Sequence, residues 1–402
     1  MQLDLPAQPL QPEEEVAGDA REEDEEELEP HLLLAVEIRC GSARAAEMER
    51  ARHVADWTAA MAAVFFRALG RRSFCTRRPL VDSVYHSILQ KKLVDCHDAA
   101  LPGFKPIWDA IADAVEDGHG IQTMKSDYTI LDLASGHGEP AVTLAQRFPN
   151  AHVVASDSHE VERARAMRRI QSLNLQDRVE VQDINLLQLR YMAEMPVTDD
   201  EPTVACDVVT CSLGLFMLPE DEREACLKGI RSVLNPGGLF VASVWEDMVL
   251  NEMADECVLK AVPSSAETAL PIDEEDPALP RRPRKEGSRY APDDPDCLSD
   301  EMLQRAGLTP VADGKHHKLV SDLPFKLGKH KSDQAWITGL MSTVPTLDQL
   351  SQQGVTCKDG GSVFAATREL FEEEVERRGM VDEQGEVVVP MKWRLIVAKR
   401  PL

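Results

Sequence analysis

The sequence predicts an α/β fold with a mainly parallel sheet, and three observations carry that prediction. Short apolar runs alternate with helical segments from about residue 128 to 245. The first run opens into a glycine-rich turn that leads straight into a helix start. The runs end on polar residues, several of them acidic, where open α/β sheets place ligands beyond the carboxyl ends of their strands.

The elements follow in order. Tyr128–Ala134 is a short apolar run bounded by Gly136, so a buried strand. Pro140 suits the first turn of a helix running through Gln146. Ala151–Ser156 is the next strand. A helix follows to about Leu173, with Ser158 as N-cap and Glu160 in its first turn. Arg178–Val181 and Cys206–Ser212 are strand-like. Pro219-Glu220-Asp221-Glu222 opens a helix with acids at its positive end, and Asn235-Pro236-Gly237-Gly238 closes it. Leu239–Trp245 is a further strand. Residues 332–378 read as two or three helices capped by Ser332 and Ser362, offering a lid or a homodimer surface.

The flanks differ in composition from this core. Residues 1–60 hold sixteen acids against five arginines, and 1–44 reads as a disordered acidic leader. Residues 45–80 read as a helix, roughly 45–69, plus a basic segment. Residues 61–81 carry five arginines and no acid, and they begin at Met61. That composition is transit-like, so a mitochondrial location follows if translation starts at Met61; otherwise the expectation is cytoplasmic. The main domain spans 81–402, with an irregular, proline-broken insertion at 263–297 and the helical one at 332–378.

Composition excludes several classes. No run of about 18 apolar residues exists, so no membrane-spanning helix is expected. A net charge of −26 repels phosphate backbones and argues against a nucleic-acid partner. Nine scattered cysteines without a C-x-x-C pair argue against a structural zinc site, and no metal is expected.

The chemistry should sit in the loops after the strands. Gly136-x-Gly138-x-x-Ala141 fits the dinucleotide fingerprint taken alone, a weak match. Asp132 before the glycines and Glu139 at the helix start would set two negative charges against a pyrophosphate. A cationic ligand reverses the sign, and S-adenosylmethionine carries a sulfonium, an ammonium and no phosphate. Asp157, 19 residues after Gly138, stands where an acid accepts from both ribose hydroxyls, a feature shared by both kinds of site. Asp183 stands where a carboxylate can accept from an adenine amino group, with Ile184 able to pack on the ring. Each lone acid is otherwise a solvated loop residue or a helix cap.

ILDLASGHGEPAVTLA (130–145), VVASD (153–157), VEVQDINLL (179–187), CDVVTCSLGLFML (206–218) and VLNPGGLFVASVW (233–245) together resemble a class I S-adenosylmethionine-dependent methyltransferase. The resemblance is nearest the branch of ubiquinone/menaquinone C-methyltransferase-like small-molecule enzymes. It implies a Rossmann-like seven-stranded sheet with helices on both faces and the last strand antiparallel, for which Glu386–Lys399 is long and β-branched enough. It also implies that Asp132, Gly136 and Gly138 hold the methionine end of S-adenosyl-L-methionine. Asp157 would bind the ribose, Asp183 and Ile184 would bracket the adenine, and Cys211, Ser212 and Leu213 would line the sulfonium region. His137 departs from the small residue that relatives usually carry; it could touch cofactor or acceptor, or simply point to solvent.

The implied partner is a small-molecule methyl acceptor. Tyr85 and Trp245 are candidates to face it, with ordinary core or surface packing as the alternative. His137 and His86 are the nominal catalytic bases, and no spacing singles one out. The absence of N-P-P-Y or D-P-P-Y after the fourth strand disfavours methylation of adenine or glutamine amino groups. The other classes left open are an NAD(P)-dependent oxidoreductase and a non-catalytic binding protein of the same fold.

Overall fold

The computed structural model describes residues 98–119, 128–189, 206–218, 220–247, 249–263 and 298–311, and from 320 onward all but short stretches between 341 and 359. The expected acidic leader, the 45–69 helix, the basic segment, Tyr85, His86 and nearly all of the proline-broken insertion lie outside these residues.

Five strands form the parallel part of the sheet: β1 (Thr129–Leu133), β2 (His152–Ser156), β3 (Val179–Gln182), β4 (Cys206–Ser212) and β5 (Leu234–Asp247). Three more complete it: β6 (Thr309–Pro310), β7 (Val320–Lys329) and β8 (Glu386–Lys399). The order is β3-β2-β1-β4-β5-β8-β6, with β7 also on β8. β8 runs antiparallel to β5, as expected for the last strand.

The helices connecting these strands are α1 (Lys105–His119), α2 (Ala141–Arg147), α3 (Glu160–Ser172), α4 (Glu220–Val233), α5 (Val249–Ala261), α6 (Asp300–Arg305), α7 (Asp333–Gly339) and α8 (Val363–Arg377). A 3₁₀ turn, Leu101–Phe104, leads into α1. The central strands are buried on both faces, so their apolar residues split between two core layers. Ile130, Val153, Val208 and Val241 face one layer, while Leu131, Val154, Val209 and Phe240 face the other.

The sheet carries one strand more than the seven expected. In β7 only Leu323, Phe325 and Leu327 are buried, alternating with exposed partners. That is the period of a strand covered on one face, and Pro324 is tolerated because β7 pairs on one side only. β8 is long enough to serve both neighbours. Its Lys392–Lys399 part pairs with β5 and its Glu386–Arg394 part with β7.

The inserted helices begin where the caps predicted. The Ser332 side chain accepts the Ala335 N–H at 3.1 Å and starts α7. Ser362 stands at the N-cap of α8, although its side chain makes no capping bond. These helices pack with α5, and Val258, Ala261, Val262, Leu347, Leu350 and Val363 form a small core of their own. The start of α3 is a correction: its N-cap is His159, not Ser158. The His159 N–H donates to Asp157 Oδ1 at 2.8 Å, a turn that leads into the helix without a side-chain cap.

Candidate active site

The parallel register sets Asp132 of β1 directly opposite Thr210 of β4, and it decides what Asp132 does. Asp132 is fully buried. Its Oδ1 accepts from Thr210 Oγ1 at 2.7 Å. Its Oδ2 accepts from Ser135 Oγ at 2.6 Å and from the Ala141 N–H at 3.1 Å. One carboxylate thus ties β1, β4, the loop and the start of α2 together. Burial pushes its pKa up to about 7 against the three hydrogen bonds that favour the charged form.

The loop is pinned to β2 as well. The Ser135 N–H donates to the Ser156 carbonyl at 2.8 Å, and Ser156 Oγ donates to the Asp132 carbonyl at 2.9 Å. The Gly136 N–H donates to Asp157 Oδ2 at 3.0 Å. Gly136 and Gly138 sit at φ +53° and +102°, in the region that favours glycine. A Cβ on Gly138 would meet Ala166 of α3 at 3.4 Å, so that glycine serves helix packing. A Cβ on Gly136 would meet only Glu162 Oε2, at 3.9 Å, so its other side is open.

Glu139 corrects the charge argument made from sequence. It is buried rather than turned towards a ligand. Its Oε2 accepts from the Thr143 N–H and hydroxyl at 3.0 and 2.7 Å, capping α2 from within, and Arg169 of α3 holds Oε1 at 2.5 Å. Burial raises its pKa against these partners. Asp132 and Glu139 therefore build the loop, and neither carboxylate is spare to repel a pyrophosphate.

His137 does not point to solvent. It is 8% exposed, with its ring 5.6 Å from that of Trp108 on α1. Trp245 lies in the core with its ring 6.0 Å from Phe104. Cys211 is buried, and burial pushes its thiol up to about 12, so it is no nucleophile near neutral pH. Ser212 is half-buried, its hydroxyl 3.1 Å from that of Ser243, and the Leu213 N–H donates to the Ser243 carbonyl at 3.0 Å. Ile184 is buried among Leu131, Val154 and Leu186. Asp183 is exposed and paired with Arg163 at 3.2 Å.

The ends of β1, β2 and β4 are thus brought together, and Trp245 is buried, linked through Phe104 and Trp108 to His137. Sequence reasoning missed Ser135, Thr210, Glu162 and Arg163. Glu162 faces Gly136 from α3, and burial together with the charge of Asp157 lifts its carboxyl to about 7. Arg165 pairs with Glu162 at 2.8 Å and also with Asp98. The spacing of Glu162 and Arg163 after Asp157 is their only trace in the chain. Among the described residues no group of three or more His, Cys, Asp or Glu could hold a metal ion.

Could this set hold S-adenosylmethionine? Each Asp157 oxygen accepts one backbone N–H, and an ionised carboxylate offers about four acceptor sites, so lone pairs remain for two ribose hydroxyls. The open side of Gly136 allows a close backbone approach. The residues fit.

Residues 130–238, about a quarter of the chain, match the family described as methyltransferase domain. A Haemophilus influenzae relative, described only as an uncharacterized protein, is 29% identical over 115 residues, covering 29% of this chain and 41% of the relative. The alignment thus spans less than half of that relative. An O-methyltransferase family protein from Burkholderia thailandensis is 18% identical, over 63% of this chain and 67% of its own, with a TM-score of 0.38. Phosphoethanolamine N-methyltransferase 2 of Haemonchus contortus is 12% identical, over 73% and 53%, with a TM-score of 0.35. No described helix is long and apolar enough to cross a membrane.

Proposed function

We propose that the chain is an S-adenosylmethionine-dependent methyltransferase that methylates a small-molecule metabolite by direct in-line displacement. One observation supports it most. The Asp132–Ala141 loop is knotted between β1, β2 and β4, with Asp157 accepting from Gly136 and keeping acceptor capacity beside an open glycine. The family match over 130–238 gives that loop its chemical context.

In this reading Gly136 and Gly138 shape the backbone at the methionine end, and Asp132 holds that backbone from beneath. Asp157 receives the ribose hydroxyls, Asp183 reads the adenine, and Ser212 and Leu213 line the sulfonium region, with Ile184 and Cys211 behind them in the core. When bound, the cofactor supplies a methyl group that is already activated. The chain's part is to align the acceptor and exclude water, and alignment can supply about 7–11 kcal/mol. Of the two nominal bases, His137 packs on Trp108, and no catalytic base is assigned. The net charge of −26 supports a small acceptor over a nucleic acid.

Calorimetric titration with S-adenosylmethionine, S-adenosylhomocysteine and NADH tests the reading, with Asp157→Ala beside the parent. Micromolar binding of the first two, weakened about 10- to 150-fold in the variant, is expected; losing a hydrogen-bonded charged acceptor costs about 1.5–3 kcal/mol. Binding of NADH in their place would overturn it. The NADH arm matters because Asp132 and Glu139 are both engaged inward. A mitochondrial location would require translation from Met61, which N-terminal sequencing of the native protein tests.

A further inference from the structure

The ends of β2 and β3 are joined by one side chain, which belongs to neither strand. Arg163, in the second turn of α3, donates from Nη1 to the backbone carbonyl of Asp157 at 3.0 Å. Its Nη2 lies 3.2 Å from Asp183 Oδ2. The Arg163 side chain is 18% exposed and that of Asp183 67% exposed. A planar guanidinium that spans two acceptors fixes direction as well as distance, which a flexible ammonium does not do. Left alone, an exposed carboxylate after a short edge strand would sample several rotamers in water.

We infer that Arg163 is a positioning residue of the cofactor site. By gripping the Asp157 carbonyl it aims the Asp183 carboxylate, and so sets the preference for a purine that carries a 6-amino group. This rests on the proposed function, because Asp183 has a base to read only if an adenosyl ligand lies across these strand ends. One Asp183 oxygen is taken by Arg163, and the other remains to accept an N–H. An adenine amine can donate there. A hypoxanthine, with a carbonyl at the same position, presents an oxygen to an oxygen and is rejected.

Asp183 is largely exposed, so its removal should leave folding stability nearly unchanged. Arg163 is mostly buried and holds a backbone carbonyl, so its variants are judged by the ratio of two ligands, which a uniform loss of stability does not move. That makes the test clean. The affinities of S-adenosylhomocysteine and S-inosylhomocysteine are measured on the parent, Asp183→Ala, Arg163→Gln and Arg163→Lys, with a thermal melt of each variant. The parent should prefer the adenosyl ligand by about 10-fold or more, the range expected for one hydrogen bond to a charged group. Asp183→Ala should abolish the preference. Arg163→Gln should reduce it to within about threefold, read at a temperature where its melt shows the variant folded. Arg163→Lys should fall between, because a lysine reaches one acceptor at a time.

A merely structural role for Arg163 would weaken both ligands equally and leave their ratio intact. An unchanged ratio in Arg163→Gln would overturn the inference, as would a parent that binds both ligands alike. A parent that binds neither would overturn the proposed function, and the inference with it.

Discussion

The two halves of the sheet are built on different principles. In the parallel half, strands of four to seven residues such as β1, β2, β3 and β4 end in a polar network. Asp132, Ser135, Glu139, Ser156, Thr210 and Ser243 are all buried there. In the antiparallel half, the 14-residue β8 pairs edge to edge with β5 and β7, and α5, α7 and α8 add an apolar layer. Most ion pairs of that half lie at its surface, such as Lys326 with Glu386 and Lys331 with Glu376. Buried polar groups fix a unique geometry at the cost of desolvation, whereas apolar layers give stability and tolerate adjustment. The extension has buried polar side chains too, but Thr367 and Glu374 bond within or beside α8, whereas Asp132 ties separate strands and a loop together.

Removing the centre of the polar network is expected to have the largest effect. Asp132→Ala strips the acceptor from Ser135, Thr210 and the Ala141 N–H at once, and should cost about 3 kcal/mol or more in chemical denaturation. Asp132→Asn keeps the shape and one acceptor oxygen, which can still take Ser135 and the Ala141 N–H while the Thr210 hydroxyl turns to accept from the amide, and should cost about 1 kcal/mol. Equal costs would mean that the network is not what holds the loop.

Two glycines compare the packing of the halves. A Cβ on Gly229 of α4 would lie 2.0 Å from the Leu189 carbonyl oxygen, which is backbone and cannot turn aside. A Cβ on Gly339 of α7 would lie 2.1 Å from the Phe371 ring, a side chain that can rotate. Gly229→Ala should therefore cost about 3 kcal/mol and Gly339→Ala about 1–2 kcal/mol, both read from denaturant midpoints. The reverse order would show that the extension is the more rigidly packed half.

The halves should also respond to pH with opposite signs. The Asp132 carboxyl is raised by burial to about 7 in the folded chain. Its contribution is therefore full below the unfolded value near 4 and fades as pH rises through about 7. Glu374 on α8 is held down to about 2, chiefly by its hydrogen bond from Arg377 and then by Arg378. Its contribution is present above about 4.5 and is lost as pH falls towards 2. Stability measured across pH should lose its neutral-side decline in Asp132→Asn and part of its acid-side decline in Glu374→Gln. The smallest effect belongs to the surface: Lys326→Ala should leave the denaturation midpoint unchanged, because its 2.8 Å pair with Glu386 is screened by solvent.

Much of this architecture was legible in the chain. β8 falls on the residues 386–399 that its length and β-branching mark out, and Ser332 caps α7 as its position implies. β7 was harder to see, because Pro324 interrupts an otherwise regular alternation. At the candidate site, the glycines and Asp157 were legible as a local pattern. Thr210 was not, because its pairing with Asp132 depends on the register of two strands 78 residues apart. Glu139 was misjudged for a related reason, since its partner Arg169 lies 30 residues away on α3.

The sequence by itself determined the α/β alternation, the glycine turn, the strand at 386–399 and the residues offered at each strand end, carried by local propensity and periodicity, while the antiparallel direction of that strand was implied by the family resemblance. The tertiary structure alone decided which of the acids remain available to a ligand. Asp132 and Glu139 are consumed within the fold, Asp157 keeps spare acceptor sites, and Asp183 is aimed by Arg163. Charge is a property of a residue, but its direction and its neutralisation belong to neighbours that only folding brings near.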